Sequence, residues 1–329
     1  MSRYVMGIDA GGTKSHLAIF DDEASLVAFG SWGPLNHEVL PGSFGQLEKE
    51  LHAFISKTAQ PHGIGPGDIA YAVFGLGGVD TKEQHRVISD IITRLGIARF
   101  TLCNDAYLGV AAACPDNTGI CAINGSGCTI AGIGAAGEML QIGGIGELSR
   151  DLGGASQISM SVLGAVYESL FREGGPTALA RPVLEALGIK DKYDYTDAVS
   201  AKLTDKSFHM PGLNRLLFQY SDDGVSQRLL SDIAKNYTGG ISCMLRELDF
   251  SHENPVHIVF AGSVFAKEKN PVLIDMIKEM LADLHPGSSF IYTILKVPPV
   301  AGAVIWALRG IGITKDVSGR VSAQLERML

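Results

Sequence analysis

The sequence predicts an α/β protein of two duplicated domains, each a mixed five-stranded sheet with flanking helices, with a cleft between them. Three observations carry that reading. At 329 residues the chain is longer than one hydrophobic core ordinarily serves. Two stretches, "VMGIDAGGTKSHLAIFDDEASLVAFG" and "ICAINGSGCTIAGIGAAGEMLQIGG", share one pattern: apolar run, acid or amide with glycines, second apolar run, polar turn, third apolar run. Helical and strand periods then alternate, so that residues up to about 115 read βββαβαβα.

The elements follow in order. Polar turns at 21–23 and 135–137 separate the second and third runs of each unit. "SFGQLEKELHAFISKTA" puts Phe44, Leu47, Leu51, Phe54 and Ile55 on one helix face, and Ser43 three residues before Gln46 has capping-box spacing. "IAYAVFGLGG" reads as a short buried strand ending in glycines. "TKEQHRVISDIITRLG" repeats the capping spacing with Thr81 and Gln84 and stops at Gly96. "RFTLCNDA" is a further strand, and "YLGVAAACP" a short helix closed by Pro115. The first domain is therefore expected over 1–116 and the second over 117–312. A C-terminal helix, about 313–329, is expected to pack back on the first domain. The second domain carries a helical insertion over about 155–250, with helices near 155–171 and 225–248 and, between them, a polar, irregular stretch at 174–224 that also reads as helical insertion. Then come the strand "VHIVFAGS", a helix over 271–284, the strand "FIYTIL", the run "PPVAGAVIWALRGIG" and a polar helix "SAQLERML".

A hydrophobic content of 46% with 19% charged residues describes a well-buried globular chain. The net charge of −8 and the lack of any Lys/Arg-rich run argue against nucleic-acid and acidic-membrane partners. "MSRYVMGIDAGG" reaches an acid and glycines before any apolar stretch long enough for a signal peptide, and no window reads as a membrane span, so a cytoplasmic location is expected. Cys103, Cys114, Cys121, Cys128 and Cys243 form no C-x-x-C pair and read as reduced, mostly buried thiols.

A structural turn accounts for the glycines of "GIDAGGTK" but not for Asp9 and Thr13 beside them. Glycines at 11, 12, 125 and 127 would let backbone N–H groups approach phosphate oxygens, with hydroxyls from Thr13 and Ser126 and charge from Lys14. Asp9 is the kind of acid that holds magnesium, often through water. "DAGGTK" is neither a Walker A loop nor G-x-G-x-x-G. Each loop alone fits a plain glycine hairpin; the two together suggest a nucleotide clamped between the domains. Asp105 fits either a helix N-cap or a catalytic acid in a cleft. Asn36 and His37 of "GPLNHE" fit either an Asx turn with an exposed imidazole or a reader of sugar hydroxyls or an acetamide.

"GIDAGGTK", "GPLNHE", "FGLGG", "CNDA", "INGSG" and "FAGSVFA", in that order, resemble the sugar-kinase, Hsp70 and actin superfamily. Within it they are similar to the N-acetylglucosamine kinase and BadF/BadG/BcrA/BcrD ATPase family. The resemblance implies actin-like (ribonuclease H-like) domains, ATP and Mg2+ as cofactors, a small-molecule amino sugar as partner, and a homodimer. It implies transfer of the γ-phosphate to the 6-hydroxyl of N-acetylglucosamine or N-acetylmuramic acid, with Asp105 as base. For the cofactor it implies Asp9, Gly11, Gly12, Thr13, Lys14, Gly125, Ser126, Gly127, Gly262 and Ser263, with Asp9 facing the metal. For the sugar it implies Asn36, His37, Gly78, Asp105, Gly144, Ile145, Gly146 and Asp151.

The sequence also departs from the family pattern. Glu38 stands where an aromatic residue is usual. In "GGIGELSRDLGGAS" the glycines at 144 and 146 and Asp151 match, but Ile145 replaces Trp, Arg150 replaces Gly and Leu152 replaces Glu. Arg150 suits an anionic substituent, such as the lactyl carboxylate of N-acetylmuramic acid, or else pairs with a surface acid. An activator of a radical dehydratase would need cysteines near glycine-rich helix starts, and a ROK-type glucokinase its zinc-binding cysteine cluster; this sequence has neither. A sugar- or nucleotide-sensing protein without turnover stays open, favoured by the three substitutions and opposed by Asp105. A BadF-type ATPase with another substrate is a further alternative.

Overall fold

The first apolar runs form strands because their apolar residues are buried almost throughout. In β1 (Tyr4–Ala10) only Tyr4 and Asp9 escape full burial, and in β2 (Ser15–Asp21) only Asp21. The structure is a computed structural model that describes residues 3–125, 127–204, 212–252, 254–267 and 271–329; Ser126 therefore lies outside the described residues. After β3 (Leu26–Trp32) come α1 (Ser43–Ala59), β4 (Ile69–Leu76), α2 (Lys82–Arg94), β5 (Phe100–Cys103) and α3 (Tyr107–Ala113). The strands make one sheet in the order β3-β2-β1-β4-β5, with β1 antiparallel to β2 and parallel to β4.

The second half repeats this plan. It comprises β6 (Gly119–Asn124), β7 (Cys128–Ile133), β8 (Met139–Gly143), the helices α4 (Ala155–Phe171), α5 (Ala180–Leu187), α6 (Tyr195–Thr204), α7 (Leu213–Gln219) and α8 (Gly224–Glu247), then β9 (Val256–Ala261), α9 (Ser263–Lys267), α10 (Val272–Leu284) and β10 (Phe290–Ile294). Its sheet runs β10-β9-β6-β7-β8, with β6 antiparallel to β7 and parallel to β9. Strand for strand this is the order and sense of the first sheet, so the duplication read from the sequence is a duplication of topology. The two five-stranded mixed sheets with flanking helices are the actin-like fold expected above.

The polar stretch at 174–224, expected as part of a helical insertion, holds α5, α6 and α7. Val183, Leu187, Tyr195, Leu213, Leu217 and Phe218 bury themselves beside α4 and α8. These helices are too short to show a sustained 3.6-residue period. The capping boxes divide. Thr81 and Gln84 form theirs at the start of α2, each side chain taking the other's backbone N–H. Ser43 does not cap α1: Gly42 stands at the N-cap, and Gln46 donates instead to Glu50.

One apolar core serves both sheets. It joins Val5 and Val73 of the first to Cys121, Ala131 and Val259 of the second, through Leu108 and Val110 of α3 and Val304 of α11 (Pro299–Gly310). α3 packs on β6, β7 and β9, whereas α11 packs on β1, β2, β4 and α3, so the chain is back on the first sheet by Pro299. Small residues permit the crossing: a Cβ on Gly302 would run into the Leu108 carbonyl, and one on Gly7 would sit 2.7 Å from the Val304 nitrogen. α12 (Ser318–Leu325) lies on β3, and Gln324 accepts the Leu26 N–H at 2.9 Å. Among the described residues no helix is long and apolar enough to cross a membrane.

Gly302→Val should lower stability by about 1–3 kcal/mol, the usual cost of overpacking, seen as a lower urea midpoint, because the α3–α11 crossing has no room for a side chain. An unchanged midpoint would show that the two helices separate freely.

Candidate active site

Parallel pairing gathers three loops at one sheet edge. Asp9 lies opposite Gly75, and Gly75 opposite Cys103, so β1, β4 and β5 deliver their carboxyl-terminal loops side by side. Gly77 N–H donates to the Ala10 carbonyl at 2.8 Å, and Leu35 N–H to the Gly11 carbonyl at 3.2 Å, which draws the loop of Asn36 and His37 to the same edge. A Cβ built on Gly77 would lie 3.6 Å from Asn36 Nδ2 and 3.7 Å from Asp105 Oδ2. On Gly78, whose φ is +83°, it would come 2.5 Å from Asn36 Oδ1 and 3.1 Å from His37 Cε1, so that position requires glycine.

Asn36 does make the Asx turn, its Oδ1 accepting the Glu38 N–H at 2.8 Å. His37 is not the exposed imidazole of the alternative reading. It is buried and stacked on Phe44 with ring centroids 4.2 Å apart, and its Nδ1 has no partner among the described residues. Burial holds its pKa below the ordinary value, so the ring is neutral at pH 7.

Asp9 and Asp105 are poorly solvated acids. Burial and then the charge of Asp105 push Asp9 up to about 7, against a smaller opposing pull from Lys14. Asp105 is pushed up to about 6 by burial and the charge of Asp80, and is partly restrained by its own and the Ala106 backbone N–H groups. No side chain caps α3, whose N-cap is Ala106, so the helix-cap alternative for Asp105 loses its ground. Among the described residues the Asp9 carboxylate accepts no hydrogen bond.

The hairpin tips answer the question raised by their glycines. Neither Gly11 and Gly12 nor Gly125 and Gly127 has a positive φ, and a Cβ at any of them would meet nothing closer than 3.8 Å among the described residues. Chain geometry therefore does not demand glycine there, whereas room for an outside group against the backbone would. Thr13 and Lys14 are exposed at the first tip. Gly262 is different: with φ +91°, its missing Cβ would run into the Asn124 carbonyl, so the end of β9 rests directly on the second tip, beside the exposed Ser263. Asn124 itself is fully buried, and among the described residues neither amide atom has a partner.

The loop after β8 is less open than expected. Asp151 is buried, and its Oδ2 takes the N–H groups of Gly144 at 2.9 Å and Gly146 at 2.8 Å, so this carboxylate shapes its own loop. Ile145 is 53% exposed. Arg150 is exposed, has φ +54°, and makes no ion pair among the described residues, contrary to the surface-pair alternative. Sequence reasoning passed over Asp80, Asn104 and Gln141, whose side chains meet at the same edge. An acid just past "FGLGG", as Asp9 and Asp105 stand at the ends of their strands, was the available signal. Four cysteines are buried and Cys243 is partly exposed, and none of the five is in a disulfide. A cavity of about 710 Å³ opens at the amino end of β9, among Ser242, Asp249, Asn254 and His285, and includes none of the site residues.

The model of the BadF/BadG/BcrA/BcrD ATPase family matches residues 6–187. The chain is 24% identical over 265 residues to an N-acetylmuramic acid/N-acetylglucosamine kinase of Clostridium acetobutylicum, covering 80% of this chain and 85% of the relative. Among solved structures, a Chromobacterium violaceum protein assigned as an N-acetylglucosamine kinase aligns with a TM-score of 0.66 at 17% identity, over 93% of this chain and 99% of that one. A Porphyromonas gingivalis protein with the same assignment aligns at 0.60 and 16%, over 94% and 99%.

The folded-state pKa of Asp9 lies above its ordinary value of 3.8, so native protein holds that proton more tightly than unfolded protein does. The resulting stabilisation is complete below about pH 4 and is lost as pH rises through about 7. Asp9→Asn should therefore raise stability at pH 8 by on the order of 1–2 kcal/mol, allowing for solvent screening, and by much less at pH 4. Thermal unfolding of the two proteins at both pH values measures it; equal midpoints at pH 8 would contradict it.

Proposed function

We propose that this chain, which belongs to the BadF/BadG/BcrA/BcrD ATPase family, is an ATP-dependent kinase of an N-acetylated amino sugar, with N-acetylglucosamine or N-acetylmuramic acid as acceptor through the 6-hydroxyl. One observation carries the reading. A Cβ placed on Gly77 would lie within 3.7 Å of both the amide of Asn36 and the carboxylate of Asp105, which two separate loops bring to one spot. That juxtaposes an amide able to read a sugar with an acid able to take its proton.

Asp105 is the base. With a pKa near 6 it is charged at pH 7 yet basic enough to accept the hydroxyl proton as the oxygen attacks the γ-phosphorus. Gly11, Gly12, Thr13 and Lys14 on one side, and the tip at 125–127 on the other, hold the phosphates through backbone N–H groups, hydroxyl and ammonium. Gly262 and Ser263 receive the adenosine. Asp9 suits Mg2+ through water: an acid with no hydrogen-bond partner among the described residues, destabilised by burial and by a neighbouring acid, gains most from a divalent cation, which would neutralise phosphate charge there. Asn36 and the orphaned Nδ1 of His37 read the sugar beside Gly78. Gly144, Ile145 and Gly146 wall it from the second half, with Asp151 shaping that wall. The unpaired guanidinium of Arg150 favours a carboxylate-bearing sugar.

ATP consumption should be measured with N-acetylglucosamine, N-acetylmuramic acid, N-acetylmannosamine, glucosamine and glucose. Asp105→Asn should lose activity by ~10²–10⁴-fold while still binding nucleotide, and wild-type kcat should fall as pH drops through about 6. Arg150→Ala should raise KM for N-acetylmuramic acid by ~10-fold, with a smaller effect on N-acetylglucosamine. Nucleotide binding without turnover on any sugar would instead favour a sensor.

A further inference from the structure

Gln141 Nε2 donates to Asp80 Oδ1 at 2.6 Å, and Asn104 Nδ2 donates to the same oxygen at 3.0 Å. Gln141 lies on β8 of the second sheet, whereas Asp80 and Asn104 belong to loops of the first, so one carboxylate oxygen joins the two halves. Both flanks are built for the contact. The Asp80 N–H donates to Gln84 Oε1 at 3.0 Å, which ties it to the capping box of α2. Gly144, with φ +95°, leaves bare the spot where a Cβ would come 3.0 Å from Gln141 Nε2 and 3.4 Å from Asp80 Oδ1. Asn104 is 5% exposed, and its remaining amide atom, Oδ1, accepts the Ala106 N–H at 2.9 Å, closing the turn that bears Asp105.

We propose that the Asp80–Gln141 hydrogen bond is a latch across the cleft, and that Asp80 is a positioning residue that transmits closure through Asn104 to the turn carrying Asp105. The consequence for turnover rests on the kinase reading; the latch itself does not. A hydrogen bond to a charged acceptor is roughly twice as strong as a neutral one, which suits a contact that spans the cleft away from the shared core. The titratable groups that face Asp80 are Glu38 and His37 from the loop after β3, Asp105 from the loop after β5 and Tyr107 of α3; its partners Gln141 and Asn104 are neutral.

The test compares Gln141→Leu, Gln141→Glu, Asp80→Asn and the swap Asp80→Asn/Gln141→Glu, with two readouts. In the protein alone, amide exchange at Ala106 should quicken by ~5–10-fold in Gln141→Leu and Gln141→Glu. In the swap, amide and carboxylate exchange sides and the contact re-forms, so exchange returns to within about two-fold of wild type. In turnover assays the Gln141 variants should lose kcat more than they raise KM. Asp80→Asn, which removes a charge near Asp105, should move the acid limb of the pH profile to lower pH. Wild-type exchange at Ala106 in Gln141→Leu, or a swap as impaired as its parents, would overturn the latch. If Ala106 responds as stated but wild type phosphorylates no sugar, the latch stands and the kinase reading fails.

Discussion

The parallel register of β1, β4 and β5 is the constraint on which the rest depends. Three strands that end level with one another must release their loops at one edge, and backbone hydrogen bonds from Gly77 and Leu35 pin the intervening loops to the first hairpin. Acids placed in such loops cannot move apart. Asp9 and Asp105 are therefore held where water is scarce and like charge is near, and both are raised well above the ordinary carboxylate range. A group kept at a free-energy disadvantage by the scaffold is poised for a cation or a proton, the chemistry proposed for these two residues.

The second sheet supplies what the first lacks. Because its strands repeat the first sheet's order and sense, its own hairpin tip, with Gly125 and Gly127, and the end of β9 with Gly262 offer a second bare backbone edge. The halves share the α3–α11 crossing, where glycine and alanine let main chains approach, so a common apolar core joins them at the base of the cleft.

Much of this was legible in the sequence. The strand runs, the repeat and the glycine tips each rest on local pattern, and helices such as α1 and α4 begin and end where their periodicity does. The Thr81 box formed, while the Ser43 box, with the same spacing, did not; Gly42 took the cap and Gln46 found Glu50. Spacing alone does not reveal which partner wins. The Asp80 contacts were illegible because Gln141 lies some sixty residues away in another sheet, and only the assembled cleft makes them neighbours. Asp151 matched a sugar-binding pattern, yet its carboxylate is used by the loop that precedes it. The insertion was legible as helical, but the bounds of its short helices α5 to α7 were lost among polar residues.

A crystal structure of the protein with a non-hydrolysable ATP analogue, Mg2+ and N-acetylglucosamine would test the central claim most directly. The account predicts the terminal phosphates between the tips at 11–13 and 125–127, and the sugar 6-hydroxyl within hydrogen-bond distance of Asp105 beside Asn36 and His37. Phosphates bound away from both tips, or a sugar whose hydroxyls do not reach Asp105, would contradict it.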